Sequence, residues 1–182
     1  MVDQSIEMIR AAGAKKMDLR SPIPMGVSEG NLPNGPFILA APFAGWASKQ
    51  WPLEYYAALA KLLSPVPLVL NVAPSQVELV REFPSLLVHS SSLPGLIDAT
   101  RKAAGIVGLD SGPTHLAAAL GKPGVAIFGP TDPARNGPYG GSLAVLRQAK
   151  AETTYKRGVE IPASMRAIRP EMVFERLKER CL

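Results

Sequence analysis

The chain has 182 residues, 47% of them hydrophobic and 19% charged, with a formal net charge of +5. That length and balance describe one globular domain with a substantial core and exclude a disordered chain. Pro65, Pro67 and Pro74 break the longest apolar stretches, no secretory leader is legible after Met1, and the lone Cys181 excludes an internal disulfide or a cysteine metal cluster.

The positive balance suits an anionic ligand. Lysine and arginine are scattered and aromatics are few, so no nucleic-acid partner is expected and most of the charge is assigned to a solvated face. In chain order, residues 3–12 carry Ile6 and Ile9 at helical spacing, and Gly13 ends the pattern. Residues 13–36 hold eight glycines and prolines with little periodicity and are read as a linker or surface loop. From Phe37 onward the order is regular. Short apolar runs at 37–42, 68–72, 86–89, 105–109, 124–128 and 143–146 predict strands. Between them lie helical patterns: one opened by Pro52 with Tyr56, Leu59, Leu62 and Leu63, a polar one at 75–83, one at 93–104, and one beginning near Ser111. Pro170 opens a last helix with Val173, Phe174, Leu177 and Cys181 on one face; the stretch 148–164 has no legible element. Continuous rather than alternating apolar strands mark a parallel sheet covered on both faces. Strand and helix alternate, so the fold class is α/β, a Rossmann-like doubly wound parallel sheet.

The stretch Gly108-Leu109-Asp110-Ser111-Gly112-Pro113-Thr114-His115 joins a buried strand to a helix start. Ser111 can cap that helix, and Pro113 suits a first-turn position that needs no N–H. Leu116, Ala119 and Leu120 set its apolar rhythm. Free N–H groups and the helix dipole point the same way there, which favours an anion within reach of His115. Ligands of open parallel sheets bind beyond the carboxyl ends of the strands. The loops there bring Ser48 and Lys49, then Asp110 to His115, then Thr131 and Arg135, a set that would satisfy a diphosphate. Asp110 would repel a phosphate, so it is expected to orient donors. Trp46 and Trp51 are read as packing residues, one of which could border a sugar. The order of Asp110, Ser111 and His115 does not fit a hydrolase triad. No dinucleotide or P-loop glycine motif and no metal-ligand spacing is present, so no protein-bound metal is expected.

The blocks Ala41 to Pro52, Asp110 to Pro123, Phe128 to Arg135 with Gly137 to Gly140, and Ser164 to Val173 resemble the heptosyltransferase family of glycosyltransferases, family 9. That family has a two-domain GT-B fold, and the resemblance implies the C-terminal, donor-binding half: residues 1–36 as an inter-domain helix and linker, residues 37–182 as the nucleotide-sugar domain. It implies Lys49 on the donor phosphates or sugar, Asp110, Ser111, Gly112 and His115 along the diphosphate, Ser91 near the base and Gln76 at the ribose. Gln76 stands where the family usually has glutamate, and Val72 where it usually has glycine. The implied function is inverting transfer of a sugar from a nucleotide diphosphate sugar, expected to be ADP-linked and bound as substrate with no further cofactor. The acceptor is expected to be a glycan or glycolipid. The catalytic base is unassigned and expected in an N-terminal acceptor half that the chain lacks. An exposed apolar face would remain for that half or for self-association. The expected location is the cytoplasm, peripheral at the inner face of the cytoplasmic membrane. Two other readings stay open: a non-catalytic nucleotide-binding module, and another GT-B enzyme such as a nucleotide-sugar epimerase.

Overall fold

The computed structural model describes residues 2–16, 18 and 21–181. Met1 and Leu182, the outer bounds of the two expected segments, and Met17, Leu19 and Arg20 of the linker lie outside them. Helix α1 (Val2–Ala11) buries none of its residues, and Met8 and Ile9 are exposed. The regular part then runs β1 (Ile38–Ala40), α2 (Leu53–Leu63), β2 (Leu68–Val72), β3 (Leu87–Ser90), α3 (Leu93–Lys102), β4 (Gly105–Leu109), α4 (Gly112–Ala119) and β5 (Gly124–Phe128). It continues with the short α5 (Pro133–Asn136), β6 (Leu143–Arg147), the short α6 (Ala163–Arg166) and α7 (Pro170–Cys181).

All the described strand pairs are parallel, in the order β3-β2-β1-β4-β5-β6. This is the doubly wound arrangement, with its switch point between β1 and β4, where the chain leaves the sheet in opposite directions. Every residue of β1, β2, β4 and β5 is buried. Side chains alternate between faces along a strand, so both faces must be covered. Ile38, Ala40, Leu68, Leu70, Val107, Leu109, Val125 and Ile127 pack with α2 and α7 around Tyr56, Leu59, Val173 and Leu177. Leu39, Val69, Ile106, Ala126 and Phe128 face the other way, onto Leu96 and Ala99 of α3 and Ala117 of α4.

Three helix expectations are corrected. The polar segment after β2 is a 3-10 helix (Pro74–Val80), since Pro74 and the bond from the Gln76 side chain to the Ala73 N–H favour a tight turn. In α2 the buried face is Tyr56, Leu59 and Leu63, and Leu62 is exposed at its edge. In α4 the buried residues are Thr114 and Ala117, while Ala119 is exposed and Leu116 and Leu120 are only half-buried. The cause is local. The Thr114 hydroxyl donates to the Leu109 carbonyl, and a Cβ at Gly108 would strike the Thr114 side chain. A glycine on the strand and a threonine on the helix bring α4 close to β4 and set which face turns inward.

The glycine- and proline-rich segment 21–36 lies along α3. Arg101 donates to the carbonyls of Ile23 and Pro24, and the Val27 N–H donates to the Pro94 carbonyl at 3.0 Å. Gly26 has φ +84°, and a Cβ there would lie 2.6 Å from backbone atoms of Pro94 and Asp98. Only glycine permits that approach.

Candidate functional site

The β1–α2 connection and the start of α4 meet at the switch point. A 3-10 turn over Ala47–Lys49 carries Lys49. Its ammonium lies 2.6 Å from Asp110 Oδ2, and the two side chains are only 14% and 9% exposed. Asp110 Oδ2 is buried without an aligned hydrogen-bond donor, so the pair is a close charge contact. The same ammonium sits 4.2 Å from the centroid of the Trp46 ring, an attraction between cation and ring quadrupole. Asp110 and Trp46 thereby hold the amine at the carboxyl ends of β1 and β4. Trp51 is 1% exposed and belongs to the core; its indole N–H donates to the Ile168 carbonyl at 2.7 Å.

Lys49, Asp110 and His115 line one cleft of about 460 Å³. Arg135 of α5, Pro138 and Tyr139 form its far wall, and Val2 and Asp3 of α1 border it. Asp132 accepts from the Ala134 N–H and caps α5, and the Arg135 guanidinium lies 4.9 Å from the Tyr155 ring. The cleft thus has two cationic groups, Lys49 and Arg135, one exposed imidazole and two carboxylates, Asp110 paired with Lys49 and Asp3 at the border.

Ser111 occupies the N-cap position of α4 but its hydroxyl does not cap it; that group lies 3.5 Å from the Leu109 carbonyl. The Ser111 carbonyl accepts from the Thr114 N–H at 3.2 Å, and Pro113 has no N–H to offer. The donors left at this helix start are the leading N–H groups, Gly112 among them. Thr131 and Ser48, expected at the same rim, are buried, and the hydroxyl oxygen of each lacks a hydrogen-bond partner among the described residues.

A second cavity of about 230 Å³ is lined in part by Pro113, in the first turn of the helix that carries His115. Ala41, Phe43, Leu93 and Leu96 give it apolar walls, and Asn71, Gln76, Ser91 and Ser92 give it polar ones. Gln76 Oε1 accepts from the Ala73 N–H at 3.1 Å, which leaves the amide Nε2 for a ligand. The Ser91 hydroxyl accepts from Asn71 Nδ2 at 2.7 Å. So the structure places the sequence-derived residues in two cavities, Lys49, Asp110 and His115 in one and Gln76 and Ser91 in the other, while Ser111 and Gly112 stand at the start of α4, which carries His115 of the first and Pro113 of the second. Sequence reasoning missed Asn71. A polar residue inside the apolar run Leu68–Val72 was the available signal for Asn71.

Similarity to known proteins agrees with this fold. The profile of Glycosyltransferase family 9 (heptosyltransferase) matches residues 11–162. Lipooligosaccharide heptosyltransferase 2 of Haemophilus influenzae is 28% identical over 149 residues, 72% of this chain and 43% of the relative. Lipopolysaccharide heptosyltransferase 1 of Escherichia coli K12 is 33% identical over 107 residues, 54% of this chain and 34% of the relative. Among solved structures, E. coli ADP-heptose LPS heptosyltransferase II superposes with a TM-score of 0.69 at 28% identity, covering 79% of this chain and 46% of that one. The E. coli heptosyltransferase WaaC solved with ADP gives a TM-score of 0.64 at 25% identity, covering 83% of this chain and 47% of that one. The chain therefore spans less than half the length of these relatives. Its sheet is one Rossmann-like half of the GT-B architecture, and the chain belongs to glycosyltransferase family 9, the heptosyltransferases.

Proposed function

We propose that this chain is the donor-binding half of an inverting glycosyltransferase, with residues 37–182 forming the nucleotide-sugar domain and residues 1–36 leading to it from an acceptor-binding half. The observation that carries this reading is the Lys49–Asp110 pair at the switch point, beside the start of α4. A buried carboxylate holds a lysine whose charge faces the cleft; it orients the cation and stays clear of the anion. In this reading the 460 Å³ cleft takes the diphosphate and sugar, with Lys49, Ser111, Gly112, His115 and Arg135 around it, and the 230 Å³ cavity takes the nucleoside. Relatives solved with ADP and with ADP-2-deoxy-2-fluoro heptose support an adenine nucleotide as the donor.

The chemistry needs two contributions. A general base removes the proton from the acceptor hydroxyl, and that oxygen forms a bond to the anomeric carbon as the bond to the diphosphate breaks. The electron pair leaves on the diphosphate oxygen, where Lys49 and the helix start stabilise the growing charge. The base and the glycan or glycolipid acceptor belong to the other half, so this chain alone binds donor without transferring it. The protein's own cations answer the diphosphate charge, and no metal enters the scheme. A cytoplasmic setting, peripheral to the membrane when the acceptor is a glycolipid, goes with this reading.

Calorimetry with ADP and UDP tests it. ADP should bind the wild-type chain more tightly than UDP, and Lys49→Gln should weaken ADP by about tenfold or more, the loss of one charge-assisted contact. No ADP binding by a folded wild-type chain, or undiminished binding by Lys49→Gln, would sink the proposal.

A further inference from the structure

His89 is 1% exposed on the edge strand β3, while its apolar neighbours Leu87 and Val88 are 51% and 39% exposed. That inversion of the usual burial order means the imidazole is held inside by polar partners. Across the strand pair, His89 stands in register with Asn71 of β2. Its Nδ1 lies 2.8 Å from Asn71 Nδ2, and its Nε2 lies 2.6 Å from the Glu29 carbonyl in the segment that runs along α3. The amide nitrogen of Asn71 can only donate, and a carbonyl can only accept. Both bonds therefore demand one neutral tautomer, with the proton on Nε2.

The consequence reaches the smaller cavity. Asn71 Nδ2 also approaches the His89 carbonyl at 3.3 Å and the Ser91 hydroxyl oxygen at 2.7 Å. These three acceptors fix which way the amide faces. The amide nitrogen is fully used, Asn71 Oδ1 makes no hydrogen bond among the described residues, and the Ser91 hydroxyl keeps its hydrogen. The cavity is thus offered one acceptor from β2 and one donor just past the end of β3. Glu29 secures Ser92 of the same cavity as well: its carboxylate accepts from the Ser92 N–H at 2.7 Å and the Ser92 hydroxyl at 2.5 Å, at the N-terminus of α3. Gly95 makes room for it, since a Cβ there would lie 2.7 Å from Glu29 Oε2 and 2.6 Å from Ser91 Cβ.

We infer that His89 is a positioning residue for the nucleoside cavity. Anchored by the Glu29 carbonyl, it sets the Asn71 amide so that Asn71 Oδ1 and the Ser91 hydroxyl present a matched acceptor and donor to the bound nucleotide. This rests on the reading of the cavity as the nucleoside site. The segment 21–36 is then part of that site without touching the ligand, because Glu29 holds the ring that holds the amide.

The test is calorimetry with ADP on wild type, His89→Leu and His89→Gln, alongside thermal melts. Glutamine can still accept from Asn71 and donate to the Glu29 carbonyl, whereas leucine fills the space and does neither. His89→Leu should lose about tenfold in ADP affinity, the order expected for loss of one or two ordered hydrogen bonds, and His89→Gln should recover most of it. Nitrogen-15 NMR of the wild-type ring should report the Nε2–H tautomer. ADP bound equally by wild type and His89→Leu would overturn the inference while leaving the nucleotide reading intact. So would affinities that track melting temperature with no rescue by glutamine, or a ring protonated on Nδ1. A folded wild type that binds no ADP would overturn both.

Discussion

The ion pair between Lys49 and Asp110 ties the proposed donor contact to stability. Both side chains are largely removed from water, so each carries a desolvation cost that only the other offsets. Lys49→Ala leaves a buried carboxylate without its cation and should destabilise the fold by about 3 kcal/mol. Lys49→Met combined with Asp110→Leu should cost much less, because no charge is stranded. Denaturant melts of Lys49→Met, Asp110→Leu and the double variant check this; a double loss equal to the sum of the single losses would show that the pair is not coupled. Cys181 gives a second test. Burial pushes its thiol up, and its Sγ donates to the Leu177 carbonyl at 3.3 Å. The thiolate is the reactive form, so disulfide-exchange reagents at neutral pH should label Cys181 more slowly than they label a free cysteine peptide. Rapid labelling of the native chain would contradict the packing of the end of α7.

Two elements owe their positions to contacts that local propensity does not contain. Helix α4 is seated by Gly108 and Thr114, so Gly108→Ala should destabilise by about 1–3 kcal/mol through overpacking. Adding Thr114→Ala, which removes the hydroxyl that the new methyl would strike, should cost less than the sum of the two single losses in a melt. The segment 21–36 is seated through Glu29, whose carboxyl is held below its ordinary range by hydrogen bonds from the Ser92 hydroxyl and N–H. A carboxyl with a depressed folded pKa contributes stability that is present above its unfolded pKa and is lost as pH falls through the folded value. Acidification below the ordinary carboxylate range should therefore loosen the segment. Glu29→Gln should remove that acid-limb dependence, read by hydrogen exchange of the Val27 and Ser92 amides. An unchanged acid limb in the variant would refute the assignment to Glu29.

At the scale of the molecule, the sheet carries two cores and the cleft lies where the chain reverses its winding. Trp51 links these levels. It follows the loop that bears Lys49, packs edge-on to Tyr55 and Tyr56 with ring centroids 5.5 and 4.8 Å away, and bonds the Ile168 carbonyl just before α7. Trp51→Phe should cost about 2 kcal/mol, since it leaves a carbonyl unpaired and a gap beside the core. The same variant should weaken ADP binding modestly by loosening the Lys49 loop; a fall in melting temperature without change in ADP affinity would separate the two roles. Among the described residues no helix is long and apolar enough to cross a membrane.

The sequence by itself determined the winding and its strands, because continuous apolar runs between helical patterns admit only a parallel sheet covered on both sides. It also marked Lys49, Asp110 and His115, because cationic and polar residues just past such strands stand at its binding edge. Only the tertiary structure decided that Lys49 and Asp110 meet, since 60 intervening residues separate them and only the switch point brings β1 beside β4. It also decided that Thr114 and Ala117 face inward on α4, and that the proline-rich segment is tied through Glu29 and His89 to Asn71. Hydrophobic periodicity records burial along one element. Close backbone approach and hydrogen bonds between distant elements leave no such period to read.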